Sequence, residues 1–297
     1  MAVFFIFVDG VGLGNADDTN PFYKDSYTSI ERLTRGNGMF AESKDIVAGE
    51  LLFKGIDANL GVEGLPQSGT GQTALFTGIN ASKEIGKHFG PFPHTGIKPF
   101  LRERSIFHDT IKMGKKPHFM NAYPPIFFEK AEERNRWSCT TLMTRSSGVP
   151  LNQQEEIEAG TAITADIIQK GWRDFLNIDI PEISAATAAD RMLTKGEEYD
   201  LVLFEYYLTD KAGHSQQHDQ ASRVLAVFDE FLNRIIEKKT SMDTLVITSD
   251  HGNVEDLSVK THTRNKVPLF VLGPHVHHFE QVKSLIDIKS QILASIA

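Results

Sequence analysis

At 297 residues and 33.1 kDa, with 40% hydrophobic and 24% charged side chains, the chain has room for one large domain or two small ones; it is not disordered, collagenous or disulfide-stapled. Its 31 basic and 39 acidic residues give a net charge of −8, which opposes counterion-driven binding along a long phosphate backbone, so the expected partner is a small substrate and not nucleic acid. The lone Cys139 rules out an internal disulfide and fits a reducing compartment.

The apolar run from Val3 to Val8 comes first. It stops at Asp9, too short for a membrane span and without the basic flank of a signal peptide, so it is expected to be a buried strand in a cytoplasmic protein that needs no membrane. A helix is expected from Lys98 to Met113, leading into a strand near His118. Residues 122–183 carry a Pro-Pro pair and mixed charge with no strand alternation, and are read as an inserted cap or lid. Short runs from Leu201 to Phe204, Leu245 to Thr248 and Pro268 to Leu272 follow the pattern of strands buried on both faces. Between the first two, Val224, Leu225, Phe228, Phe231, Leu232, Ile235 and Ile236 recur at helical spacing, giving a strand, helix and strand crossover. A last helix is expected from about Glu280. The fold class is therefore α/β, a mainly parallel sheet sandwiched by helices, with 1–121 and 184–297 as the core and 122–183 as a small cap.

Acidic residues and histidines gather where those strands end, which is where open α/β sheets assemble sites. Strand one runs into Asp9; the strand at Leu201 leads to Asp210 and His214; the strand at Leu245 leads to Asp250 and His251; the loop before the last strand supplies His262. Carboxylate with imidazole is a ligand set for Mn²⁺ or Zn²⁺, and six such groups exceed what one tetrahedral ion needs. Two divalent metal ions, about 3.5–4 Å apart, would hold both the attacking and the leaving oxygen of a phosphoryl displacement. A nucleophile is sought in the glycine- and hydroxyl-rich run from Gly64 to Gly78, which opens into a helix; Ser68 is the first choice and Thr70 the second.

In order and spacing, the motifs Phe7-Val8-Asp9-Gly10, Gln67-Ser68-Gly69-Thr70-Gly71-Gln72, Asp210-Lys211-Ala212-Gly213-His214, Ser249-Asp250-His251-Gly252-Asn253 and His262-Thr263-Arg264-Asn265-Lys266-Val267-Pro268 resemble the alkaline phosphatase superfamily. The likeness is to its branch of cofactor-independent phosphoglycerate mutases and phosphopentomutases, and it covers the two ends of the chain. The resemblance implies that Asp9, Ser68, Asp250 and His251 surround one metal, with Ser68 as the phosphorylated nucleophile, and that Asp210, His214 and His262 hold the other. Asp17 and Asp256 are further carboxylates near the motifs. The chain lacks room for the second domain of the phosphoglycerate mutases and has Gln72 where phosphopentomutases usually carry histidine.

The expected activity is a two-metal phosphoester hydrolase of a small phosphorylated metabolite, through a phosphoserine at Ser68. A phosphomutase is the alternative enzyme, and a catalytically silent metal-binding regulatory protein the alternative of another class. Arg134, Arg136 and Arg145 are candidates to fork onto a second anionic group of the substrate, against the reading of a solvated charged face. His88 and His94 follow the nucleophile run, and the tract His275-Val276-His277-His278 is read as surface.

Overall fold

The computed structural model describes residues 1–297. One sheet holds β1 (Val3–Val8), β2 (Ile46–Ala48), β3 (Leu51–Ile56), β4 (Pro117–Phe119), β5 (Leu201–Tyr206), β6 (Thr244–Thr248) and β7 (Val267–Leu272), in the order β2-β3-β7-β6-β1-β5-β4. β6, β1, β5 and β4 are parallel neighbours, whereas β7, β3 and β2 continue the sheet as antiparallel pairs. Register matters for the site: Phe7 lies opposite both Glu205 and Thr248, so β1, β5 and β6 leave the sheet at one level. Because β7 runs antiparallel to β6, the connection from Asp250 to Lys266 stays on that same rim.

β1 shows why the apolar run folds as a strand. Val3, Phe5 and Phe7 join a cluster of 33 buried residues on one face, and Phe4, Ile6 and Val8 join a cluster of 31 on the other. Each fully buried Phe or Ile contributes about 1.5–3 kcal/mol, and only a strand can divide its side chains between two such clusters. The helix His218–Lys238 covers the second face with Leu225, Phe228, Phe231, Leu232 and Ile235. The helix Leu285–Ser295 covers the first with Leu285, Ile288 and Ile292.

The structure departs from the expectations in three places. The stretch from Lys98 to Met113 is two helices, Lys98–Glu103 and Ile106–Lys112: the first ends at Arg104, and the extended Ser105 caps the second, accepting from the His108 N–H at 3.3 Å. The last helix starts at Leu285 under a capping box of Ser284 and Asp287, while Val276–Phe279 forms a 3₁₀ turn. β2 and β3 were not expected, since Lys54 and Gly55 break the apolar run of an antiparallel edge.

Residues 122–183 contain the helices Pro125–Glu133, Cys139–Ser146, Gln154–Glu158 and Lys170–Leu176. Ala131, Trp137, Cys139, Leu142, Met143 and Val149 join the 33-residue cluster of the sheet. Ala122, Ile157, Ala162, Trp172 and Ile180 form a separate cluster of five. No helix of the protein is long and apolar enough to cross a membrane.

Candidate metal centre and nucleophile

Asp9 follows β1 directly and Asp250 lies two residues beyond the end of β6, so sheet register alone brings their carboxylates to one place. Asp210 sits in the first turn and His214 in the last turn of the short helix Leu208–Ser215, four residues apart and therefore on one face. Gly10 lets that helix approach: its φ is +70°, and a Cβ there would lie 2.7 Å from Asp210 Oδ1. Ser68 is the first residue of the buried helix Ser68–Thr77, at the end that carries the positive pole of the helix dipole.

All seven residues expected at the site come together. Ser68 Oγ lies 3.0 Å from His251 Nε2, which is 3.3 Å from Asp9 Oδ1 and 3.6 Å from Asp250 Oδ2. On the other side, Asp210 Oδ1 is 3.5 Å from His262 Nε2 and Asp210 Oδ2 is 3.4 Å from His214 Nε2. The rings of His251 and His262 stack with centroids 3.8 Å apart. Two groups of possible ligand atoms each lie within 4.8 Å of one another, Asp9 with Asp250 and His251, and Asp210 with His251 and His262. Thr70 does not face this cluster; its hydroxyl bonds Gln67 O and the Phe89 N–H, at 3.1 and 3.2 Å.

Backbone carbonyls set the histidine tautomers. His262 Nδ1 is 2.7 Å from Pro66 O, and His214 Nδ1 is 2.8 Å from Lys260 O. A carbonyl only accepts, so each Nδ1 carries the proton and each neutral ring presents a bare Nε2 to the centre. Those two Nε2 atoms are 3.2 Å apart. Two bare nitrogens at that distance repel each other, and either a proton on one of them or a cation held together with the nearby carboxylates relieves the repulsion. Asp9 Oδ1 and Asp250 Oδ2 are likewise buried without a hydrogen-bond donor. The donor set therefore fits divalent cations on chemistry as well as on spacing.

Charge is piled high here. Burial first, and then Asp250, raise the carboxyl of Asp9 well above the ordinary range; burial also raises that of Asp250. Burial works against charge on His251, but Asp250, Asp9 and Asp210 outweigh it and push the imidazole up to about 10. Burial and the neighbouring His251 bring His262 down to about 4.

The other candidates lie elsewhere. Asp17 and Asp256 bond their own turns through Thr19 and Ser258. His88 is held by Ser82 Oγ at 3.1 Å and Val62 O at 3.2 Å, and His94 by the Gly96 N–H at 3.1 Å. Arg136 lies over the Phe92 ring at 4.0 Å and Arg145 over Trp137 at 3.8 Å, and Arg134 is exposed. Several polar residues around the centre were not anticipated. Gln72 Nε2 reaches Asp9 Oδ2 at 3.5 Å, and Asn253 Nδ2 donates to Asp210 Oδ1 at 2.6 Å. Glu205, at the end of β5, accepts from Thr140 Oγ1 at 2.6 Å, and burial pushes its carboxyl up to about 7. Glu205 and Glu255 both stand at or just beyond strand ends, the position that drew attention to the aspartates, yet neither adjoins a histidine in the sequence.

Comparison with known proteins gives the family and the fold. A segment of 103 residues is 32% identical to the 2,3-bisphosphoglycerate-independent phosphoglycerate mutase of Desulforudis audaxviator, covering 32% of this chain and 20% of the mutase. The chain thus matches only about a fifth of that relative's length. Two solved structures share the fold: the alkaline phosphatase of the Antarctic bacterium TAB5 (TM-score 0.58, 15% identity, 99% of this chain and 97% of that one) and the Leishmania mexicana phosphoglycerate mutase (TM-score 0.54, 10% identity, 99% and 95%). The sequence profile of the Metalloenzyme superfamily matches residues 1–297, and the chain belongs to that superfamily.

Proposed function

We propose that the protein hydrolyses the phosphate ester of a small metabolite at a two-metal centre, with Mn²⁺ or Zn²⁺ as the ions and Ser68 as the nucleophile. The observation that carries this reading is the 3.0 Å approach of Ser68 Oγ to His251 Nε2, because His251 belongs to both groups of possible ligands. Asp9, Asp250, His251 and Ser68 would hold one ion, and Asp210, His214 and His262 the other. When bound, the ions supply positive charge that acidifies the serine hydroxyl and offsets charge on the transferring oxygens.

The rest falls to the chain. Ser68 Oγ gives up its proton and attacks phosphorus in line; the ester P–O bond breaks, and the leaving oxygen keeps the electron pair, takes up a proton from water and departs as the alcohol. Water then attacks the phosphoserine, inorganic phosphate departs, and the hydroxyl is restored. The helix Ser68–Thr77 aims its positive pole at the phosphoryl group, and Gln72 steadies Asp9 from the same helix. A cleft of about 510 Å³ opens beside the nucleophile, lined by Leu65, Gln67, Lys87, His88, Phe89 and Gly90 among others. Lys87, which shares this cleft with Glu63, and Arg136, on Phe92 nearby, make no salt bridge within the protein, which suits a substrate with a second anionic group.

The test is ³¹P NMR of the Mn²⁺-loaded protein with a panel of phosphomonoesters, phosphodiesters and sugar phosphates. Free phosphate, with a phosphoserine at Ser68 trapped by rapid acid quench, is the expected result. The partial likeness to phosphoglycerate mutases gives the competing outcome: an isomerised ester without free phosphate would replace hydrolase by mutase. Inertness across the panel would overturn both.

A further inference from the structure

Glu255 belongs to neither ligand group and is completely buried, at 0% exposure. Its carboxylate takes four donors, one from the loop after β1 and three from the β6–β7 connection on which it stands. Oε2 accepts the backbone N–H of Gly12 at 2.8 Å and that of Asn253 at 2.7 Å. Oε1 accepts the Thr263 hydroxyl and, at 3.0 Å, the side-chain amide of Asn265. Gly12 comes three residues after Asp9, Asn253 two after His251, and Thr263 directly after His262. The packing is close enough that a Cβ on Gly12 would run into the carboxylate.

Four donors converging on two oxygens call for a group that only accepts; the amide of a glutamine would turn its own N–H bonds against two of them. Glu255 has no cationic partner in the protein, and a buried carboxylate without one costs free energy that its hydrogen bonds must offset. What those bonds accomplish is specific: they tie the two ends of the β6–β7 connection, which carry His251 and His262, to each other and to the loop that follows Asp9. Asn253, on the same segment, extends the join to the helix of Asp210 through its 2.6 Å bond to Asp210 Oδ1.

We propose that Glu255 is a positioning residue that sets the spacing between the two cation sites. The inference rests on the two-metal reading of the rim. It also predicts an asymmetry. Asp9, Asp250 and His251 are placed by β1 and β6, whose pairing does not depend on Glu255. His262 stands on the connection between β6 and β7, which is tied to its neighbours by the Thr263 N–H to Gly252 O bond at 2.9 Å, by the His262 ring and by the carboxylate. Loss of the carboxylate contacts therefore weakens the site of Asp210, His214 and His262 and spares the other.

The test is calorimetric titration of the full chain with Mn²⁺, for wild type, Glu255→Gln, Thr263→Val and Thr263→Ser. Wild type is expected to bind in two events. Glu255→Gln and Thr263→Val should weaken one event roughly 10–100-fold and leave the other within about twofold, and Thr263→Ser, which keeps the hydroxyl, should restore the lost affinity. If Glu255→Gln does not fold, the two Thr263 variants decide. Equal weakening of both events, or no change in either, overturns the proposal. Should wild type take up no Mn²⁺, the two-metal reading falls, and amide hydrogen exchange of the metal-free proteins then judges Glu255 alone. Faster exchange confined to residues 259–266 in Thr263→Val would support the anchor; unchanged exchange there would overturn it.

Discussion

The molecule carries two clusters of three histidines, and their difference shows what separates a site from a patch. His214, His251 and His262 each face a backbone carbonyl through Nδ1 and an aspartate through Nε2. His275, His277 and His278 stack on one another at the 3₁₀ turn Val276–Phe279, with centroids 4.1 to 6.4 Å apart, and make no ion pair with any carboxylate. The ring type is the same in both. Carbonyls that fix the tautomer, and carboxylates that bring countercharge, turn three imidazoles into a pocket for a dication. Without them, ring contact builds no such pocket; at His278, burial together with His277 and His275 holds the imidazole below the usual histidine range.

The sharpest way to break the comparison is at Ser68, which makes the first cluster a reaction centre. Ser68→Ala removes the attacking oxygen and little packing, so phosphate release should fall by more than about 1,000-fold while metal content and melting temperature stay near wild type. Retained turnover would show that the hydroxyl is not the nucleophile. Loss of metal in that variant would make Ser68 chiefly a ligand.

Next in size is the metal itself. Asp250→Asn and His214→Ala each take one donor from one side of the rim, and each should lower bound metal by about one equivalent per chain, read by elemental analysis after gel filtration. Full occupancy in both would leave the aspartate-rich cluster no different from the exposed one.

How much of this was open to reading from the sequence follows from where each residue stands. Asp9, Asp210, Asp250, His251 and His262 lie within a few residues of strand ends, and parallel strands deliver their carboxyl ends to one rim, so strand positions already implied the gathering. Glu205 and Glu255 stand in equally telling positions but could not be assigned, because their partners, Thr140 in one case and Gly12, Thr263 and Asn265 in the other, are distant in the chain or typical of a turn. The strands β2 and β3 were missed for a related reason: β2 is a three-residue edge, and β3, paired between β2 and β7, carries Lys54 and Gly55 in its second half, which interrupts the apolar run. The middle segment offers a further case. The burial of Trp137, Leu142 and Met143 against the sheet depends on contacts with elements far away in sequence, which periodicity over eight residues does not report.

Glu205 gives a medium-sized test of the charge that distinguishes the rim. Burial raises its carboxyl from the ordinary 4.5 to about 7, helped by Asp9 and opposed by the Thr140 hydroxyl. A carboxyl whose pKa is raised on folding binds its proton more tightly in the folded state. Its favourable contribution is complete below pH 4.5 and is lost as pH rises through about 7. In metal-free protein, Glu205→Gln should therefore be the more stable form at pH 8 by roughly 1–3 kcal/mol, with the difference vanishing near pH 4. Urea unfolding of both proteins across that range measures it, and a difference independent of pH would mean that Glu205 is not the group that titrates.

The smallest effect is expected where the comparison began. Neither His277 nor His278 has a carboxylate to share, and their turn buries its hold on the sheet through Val276 and Phe279 instead. Replacing both histidines by alanine removes surface rings without opening a cavity, so stability should change by no more than about 0.5 kcal/mol. Bound Mn²⁺ should also stay at the wild-type level, because the ions depend on carboxylates that this turn lacks. A drop of a full equivalent in the double variant would mean that stacked imidazoles alone suffice to hold a cation on this protein. The distinction between the two clusters would then lie in occupancy by substrate, and not in the carbonyls and aspartates that surround the first.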